Sequence, residues 1–552
     1  MSKQLEPVLV QYWIGFTCGK FKNPVKRTSL VRLGINDGSG SRVASRLPMI
    51  ERGQMRLIGR PCCVKSFERL GLLLFLFVSV RAATVENLRF NLQAALSVEA
   101  GPSTDWGALV VNAEGREIFA TNSARLFIPA SNTKLFIAAL ALDQLGNLNT
   151  LHTPILAKVE PDAAGCLRSD LWIIGQGDPS LGEAPIASAF GESLSALASQ
   201  LQARGVRRIE GDLVVCDGAL RTPSAGPGWD SEDLIEAYGA PVSGLIVRHN
   251  TFRVTVTPSM QLWAPALFRS EPDLPSTRVQ GFVLTATNLL AALTYERDLA
   301  TGGVRFNGRI PIGSMPWSID LAINDAPRYF GECWRAALLR RGLVLTGTNR
   351  VVHSTQGVPS VELVNWTSET LAVRVRQCLK TSQNLQAQLL LVQVGRNFHG
   401  GSMGGKLTDD AKGLLAFPEF FQRAGIKEGS AHFEEGAGLS RTNAVSPAAT
   451  VALLRFMRGH RESFSWMEAL PIAGVDGTLK NRFRKSPATG KVRAKTGTLR
   501  GVIALGGYVT TAFGEELTFA IYANQASVDP KSRARMDRWV ETLAAYNRPL
   551  RP

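Results

Sequence analysis

Apolar and polar positions alternate most regularly toward the two ends of the chain's main body. Residues 107–120 place two apolar runs around a polar turn and predict a β-hairpin. From Pro129-Ala130-Ser131 onward the period changes. Leu135, Phe136, Ala138, Ala139, Leu140 and Leu142 cover a helix so broadly that it is expected to be buried on most sides. Far downstream, Val492–Leu499, Val502–Thr510 and Leu517–Asn524 read as three successive strands, the last two joined through Phe513-Gly514-Glu515-Glu516. Residues 531–546 follow as an amphipathic helix. Strands near both ends are expected to join one antiparallel sheet flanked by helices, an α/β fold of the α+β kind.

The segment between has another texture. Short β-like runs at Asp212–Cys216, Phe252–Pro258, Gly281–Thr285 and Gly303–Ile312 are separated by Pro/Gly turns. They predict a β-rich insertion over 156–355 that folds separately, leaving 84–155 and 356–552 as two parts of one domain. A chain of 552 residues is in any case too long for a single core.

The net charge of +16 suggests a polyanion partner until it is divided. Residues 1–83 hold 14 Lys/Arg against 4 Asp/Glu, whereas 84–552 hold 48 against 42. The body therefore gives no support for nucleic-acid binding. Within the leader, Leu70–Val80 is an apolar run too short to span a bilayer comfortably, preceded by Lys65 and Arg69 and followed by Ala82-Ala83. This layout predicts a signal peptide at 55–83 and a periplasmic protein, with an uncleaved anchor as the alternative. Translation is expected to start at Met55 or Met49, residues 1–54 being a non-native or disordered extension. Cys166, Cys216, Cys333 and Cys378 belong to the body; one or two disulfides are open to them in an oxidising compartment, and the pairing is unreadable. No cysteine or histidine spacing suggests a metal, and no cofactor is expected.

Ser131-Asn132-Thr133-Lys134 puts a hydroxyl and an amine on one helix face, within reach of each other. A serine needs an adjacent base to become a nucleophile. For Lys134 to be that base its pKa must fall by roughly 3 units, through burial and a nearby second cation such as Lys495. Alone, Ser131 reads as readily as a helix cap. Ser382-Gln383-Asn384 offers a second hydroxyl and an amide, though a turn is the ordinary reading. Lys495-Thr496-Gly497-Thr498 sets a cation and two hydroxyls beside a glycine, suited to holding a carboxylate; the alternative is an edge strand with a solvated lysine.

The order Ser131, Ser382, Lys495 is that of the penicillin-recognising serine enzymes. The chain resembles the D-alanyl-D-alanine carboxypeptidase/endopeptidases of the class C low-molecular-mass penicillin-binding proteins. The likeness runs over 84–552 and includes Gly175–Leu181, Gly226–Trp229, Tyr238–Ser243 and Leu470–Leu479. It implies a penicillin-binding/serine β-lactamase-like catalytic domain whose insert forms two extra domains. It makes Ser131 the acylated nucleophile, Lys134 its base and Ser382 a proton relay. Asn384 would bind a substrate amide, and Lys495, Thr496 and Thr498 a terminal carboxylate. The implied partners are peptidoglycan stem peptides and cross-links, β-lactams as covalent inhibitors, and a membrane or wall surface for peripheral association. One departure is Glu435-Gly-Ala-Gly-Leu-Ser440, where the family is expected to carry Asp-Gly-Ser-Gly-Leu-Ser.

Two rivals remain at this level. A β-lactamase shares the acylation apparatus, but no Glu-x-x-Leu-Asn lies between Asn384 and Lys495. A non-catalytic wall-binding protein has no need of the complete set of serines and lysines. Gly400–Lys406 resembles a phosphate loop, but Leu407 stands where Ser/Thr would meet magnesium, and it reads as a flexible glycine loop.

Overall fold

Strands from both ends of the body form one five-stranded antiparallel sheet. Its order is Val492–Leu499, Val502–Thr510, Glu516–Asn524, Asp105–Asn112, Glu117–Thr121. The computed structural model describes residues 85–97, 104–182, 192–287, 290–298, 301–398, 407–525 and 530–550. The expected extension 1–54, the signal peptide 55–83 and the glycine loop 400–406 lie outside the described residues. The chain divides into two units, Met1–Ser79 and Val80–Pro552, and all described residues belong to the second.

The pleat explains how this sheet is buried on both sides. Ile503, Leu505 and Val509 face the helices Val85–Ser97 and Pro530–Ala545, in a core with Leu92, Trp539 and Leu543. Ala504 and Tyr508 face the opposite core, built on the helix Thr133–Leu145 and the helices Leu371–Thr381, Asn384–Asn397 and Pro447–Arg458. Thr133–Leu145 is buried from Thr133 to Asp143, as its apolar breadth predicted. It ends at Gly146, whose φ of 74° suits glycine and whose N–H donates to Leu142 O.

The inserted region has its own core and a second five-stranded sheet, ordered Asn349–Val352, Leu213–Cys216, Leu171–Ile174, His152–Ala157, Val361–Thr367. Its two last strands pair antiparallel, so the chain enters and leaves this sheet side by side. The sheet thus takes in residues on both sides of 156 and 355. Two three-stranded sheets follow, one from Thr251–Thr257, Leu267–Glu271 and Trp317–Ala322, the other from Val279–Ala286, Ala292–Arg297 and Val304–Pro311. Cys166, Cys216, Cys333 and Cys378 are all free and buried. Among the described residues no helix is long and apolar enough to cross a membrane.

Candidate active site

Ser131 sits on a 3-10 turn, Ala130–Asn132, that runs directly into the helix Thr133–Leu145. The cap position falls on Asn132, with no side-chain cap bond, so Ser131 is not spent on capping. Its Oγ lies 2.9 Å from Lys134 Nζ. Lys134 is fully buried, and its amine also donates to Asn384 Oδ1 at 2.6 Å and to Ala437 O. Burial pushes this amine from 10.5 down to about 8, while Cys378 and Glu435 pull it the other way. A fall of that size costs about 3 kcal/mol, which the fold bears at this one lysine.

Lys495 lies on the strand at the sheet's edge and is also fully buried, which removes the solvated-lysine alternative. Burial, and then Lys134 as a neighbouring cation, holds its pKa well below the ordinary lysine value. Lys134 is thus the neighbouring cation for Lys495, whereas the fall at Lys134 itself comes from burial and not from Lys495, the second cation expected from the sequence. Lys495 Nζ donates to Ser382 Oγ at 2.8 Å and to Thr496 O at 2.7 Å. Gly497 is what lets this strand reach the serine turn. A Cβ there would lie 2.6 Å from Pro129 O and 3.2 Å from Ala130 Cβ. Thr496 Oγ1 donates to Thr478 Oγ1 at 2.9 Å, and Thr498 is exposed.

Ser382 and Asn384 flank the break between two helices. Ser382 ends Leu371–Thr381 in the left-handed region, at φ 63°, a strained conformation for a non-glycine residue. It turns the chain so that Asn384 opens the next helix with its amide facing Lys134. That amide is committed at both ends: Oδ1 accepts from Lys134, and Nδ2 donates to Tyr238 O at 2.8 Å. Nδ2 carries a second N–H, which a substrate carbonyl could accept beside the Tyr238 carbonyl.

The departure at Glu435 has a structural meaning. Its carboxylate is fully buried and accepts from Ala437 N and Gly438 N, both at 2.6 Å, and from Asn443 Nδ2 at 2.7 Å. Trp229 Nε1 of the inserted region adds a bond at 3.1 Å. These bonds fix the loop whose Ala437 carbonyl holds Lys134. Gly438, at φ 82°, packs so closely that a Cβ would lie 2.1 Å from Ala130 O.

The structure therefore brings the predicted residues together as two bonded sets, Ser131–Lys134–Asn384 and Ser382–Lys495–Thr496, within electrostatic reach of each other. Ser382 is bonded to Lys495 rather than to Lys134, and Thr498 lies on the same strand as Lys495. Asp476, read as a turn former, accepts Ile472 N at 2.8 Å and the Lys380 amine at 2.6 Å. Sequence reasoning missed Ala437 O, Tyr238 O and Thr478. Two are backbone groups, which leave no mark in a sequence; Glu435 was visible only as a departure. Among the described residues no group of His, Cys, Asp and Glu is arranged to hold a metal.

Residues 88–543 match the D-Ala-D-Ala carboxypeptidase 3 (S13) family. The D-alanyl-D-alanine carboxypeptidase of Actinomadura sp. (strain R39) is 31% identical over 489 residues, covering 84% of this chain and 86% of that protein. D-alanyl-D-alanine carboxypeptidase DacB of Haemophilus influenzae is 26% identical over 423 residues, 76% of this chain and 85% of that protein. The crystal structure of penicillin binding protein 4 from Haemophilus influenzae superposes with a TM-score of 0.71 at 24% identity, covering 82% of this chain and 98% of that one.

Proposed function

The chain belongs to the D-Ala-D-Ala carboxypeptidase 3 (S13) family, and from that premise we propose how its cluster of serines and lysines performs serine-type D-Ala-D-Ala carboxypeptidase chemistry. The observation that carries the proposal is the Ser131–Lys134 pair: a hydroxyl 2.9 Å from a fully buried amine whose pKa lies at about 8. Near neutral pH such an amine gives up its proton far more readily than an ordinary lysine.

Ser131 Oγ attacks the carbonyl carbon of the penultimate D-Ala as its proton passes to Lys134. The tetrahedral oxyanion is held by the backbone N–H groups of Ser131 and Thr498, donors that are worth about 3 kcal/mol each at comparable sites. The C–N bond then breaks, and the proton returns from Lys134 to the departing amine through the Ser382 hydroxyl. Water hydrolyses the acyl-enzyme and restores Ser131. Lys495, Thr496 and Thr498 hold the peptide's terminal carboxylate, whose negative charge restores the proton that burial and Lys134 disfavour on Lys495. Asn384 orients Lys134 through Oδ1 and offers the second N–H of Nδ2 to the substrate amide's carbonyl.

Release of free D-Ala makes the enzyme a carboxypeptidase; release of a cross-bridge amine makes it an endopeptidase. Its substrates are peptidoglycan stem peptides and cross-links, and β-lactams acylate the same serine. The working compartment is the periplasm, reached through residues 55–83, with the wall or a membrane surface close at hand. The test is incubation of residues 80–552 with pentapeptide and cross-linked muropeptides, alongside the Ser131→Ala variant. D-Ala release by the wild type alone is expected. Inertness toward both substrates would overturn the peptidase reading, and rapid turnover of penicillin in its place would make the protein a β-lactamase. Fusing residues 55–83 to a reporter active only after export tests the compartment, and cytoplasmic retention would contradict it.

A further inference from the structure

Three loops meet at one end of the inserted region, at a tip that the catalytic cluster does not use. Residues 258–266 fold back on the strand Val279–Ala286. Trp263 N–H donates to Thr285 O at 2.9 Å, Thr285 N–H to Ala264 O at 3.0 Å, and Ser259 N–H to Thr285 Oγ1 at 2.8 Å. Ile312 N–H donates to Ala286 O at 2.9 Å, which sets the turn 312–316 beside the first loop. Pairing of Ala286 with Pro311 and of Ala292 with Arg309 brings residues 290–292 to the same end.

The side chains on these loops are apolar and stand out from the protein. Met260 is 97% exposed, Met315 85%, Leu290 75% and Trp263 61%, and Leu262 and Ile312 are exposed beside them. Single exposed apolar side chains are ordinary, but six on adjoining loops are not. Trp263 is held at φ 59°, a region that bulky residues rarely adopt, so the backbone carries strain where the indole is displayed.

Charge decides what kind of surface covers the tip. Residues 258–268, 285–295 and 310–319 contain no charged side chain. The first charges behind the tip are Arg269 and Arg309, both exposed. Acidic residues lie further back, with Glu296 opposite Arg305 and Asp320 bonded to Arg253 at 2.8 Å. Protruding apolar loops that include a tryptophan, backed by a basic collar, match the interfacial zone of an anionic bilayer. We propose that this tip inserts into an anionic phospholipid surface and moors the inserted region there. The inference goes beyond the peptidase reading and does not depend on it.

Flotation of residues 80–552 with vesicles tests it, comparing phosphatidylglycerol/phosphatidylethanolamine with phosphatidylcholine alone. The wild type is expected to float with the anionic vesicles. The triple variant Met260→Ser/Trp263→Ser/Met315→Ser is expected to lose at least about tenfold in partitioning. Arg269→Gln/Arg309→Gln is expected to weaken binding to anionic vesicles alone, as added salt does. An unchanged thermal midpoint verifies that each variant is folded, and the single change Met260→Asp, at a side chain free of packing, repeats the test without risk to the fold. Wild type that stays unbound, or variants that float equally well, would overturn the proposal. A lipid-independent dimer lost in the triple variant would overturn it too, giving the tip to a second copy of the chain.

Discussion

The catalytic part and the inserted part of this molecule differ in what they bury. Among the described residues, the catalytic part encloses Lys134, Asp143, Arg374, Asp409, Asp410, Glu435 and Lys495, whereas the inserted part encloses Asp178 as its one charged residue. Asp178 itself accepts from Trp366 and lies within electrostatic reach of Arg374, on the catalytic part. The inserted part instead carries its anomaly outside, as the apolar tip around Trp263 and Met260. Burying a charge is expensive, so buried charge concentrates where it is held for a purpose. Burial alone does not mark catalysis, however. Arg374 is as buried as Lys134, yet it bonds Gln393 and Asn149 and ties chain segments together. The difference is that Lys134 lies against a hydroxyl, and Arg374 does not.

Substitutions on the two sides sharpen this contrast. The largest effect is expected from Lys134→Ala, which removes the proposed base and should slow acylation by fluorescent penicillin by about a thousandfold or more. Labelling at the wild-type rate would separate the buried amine from the chemistry. Next comes Gly438→Ala. Its Cβ would lie 2.1 Å from Ala130 O at a φ of 82°, so the serine turn must shift. A loss of acylation of about a hundredfold is expected, with a lower melting temperature.

Glu435→Gln should cost about 3 kcal/mol in stability, because an amide N–H would face the backbone N–H groups that the carboxylate now accepts. It carries a signature that a purely structural defect lacks. Glu435 raises the pKa of Lys134, so removing its charge lowers that pKa further. The charged groups that act on Lys134 are Cys378 and Glu435, and only the second is changed. The pH at which acylation switches on should therefore move down even as the maximal rate falls, and Glu435→Asp should restore part of both. An unmoved pH profile would reduce Glu435 to a loop anchor. At the small end, Asp320→Asn breaks a surface pair with Arg253 in the inserted part. It should cost under about 1 kcal/mol by thermal unfolding and leave penicillin labelling unchanged.

Much of this was legible in the sequence, for reasons that differ from element to element. The hairpin at 107–120, the three strands from Val492 to Asn524 and the buried serine helix follow from periodicity, which is local and survives in a one-dimensional string. Ser131, Lys134 and Lys495 stood out as candidates because nucleophile chemistry would restrict residue type and spacing, and the structure places Ser131 against Lys134 and buries both lysines. The strands His152–Ala157 and Val361–Thr367 were not seen as partners, since their pairing spans the whole insertion and leaves no local mark. The bonds that set the site's electrostatics were equally hidden. Ala437 O and Tyr238 O act through the backbone, and Glu435 acquires its role from a loop conformation that no alternation announces.

The central claim is that Ser131 is the acylated residue and Lys134, with its pKa lowered to about 8, its base. The most direct measurement follows the acylation rate by fluorescent penicillin from about pH 6 to about pH 10 and maps the adduct by peptide mass spectrometry. The account predicts an adduct on the peptide containing Ser131, and a rate that falls about tenfold per pH unit below an inflexion no higher than about 8. An adduct on any other residue, or a rate that does not fall as the pH drops below that point, would contradict it.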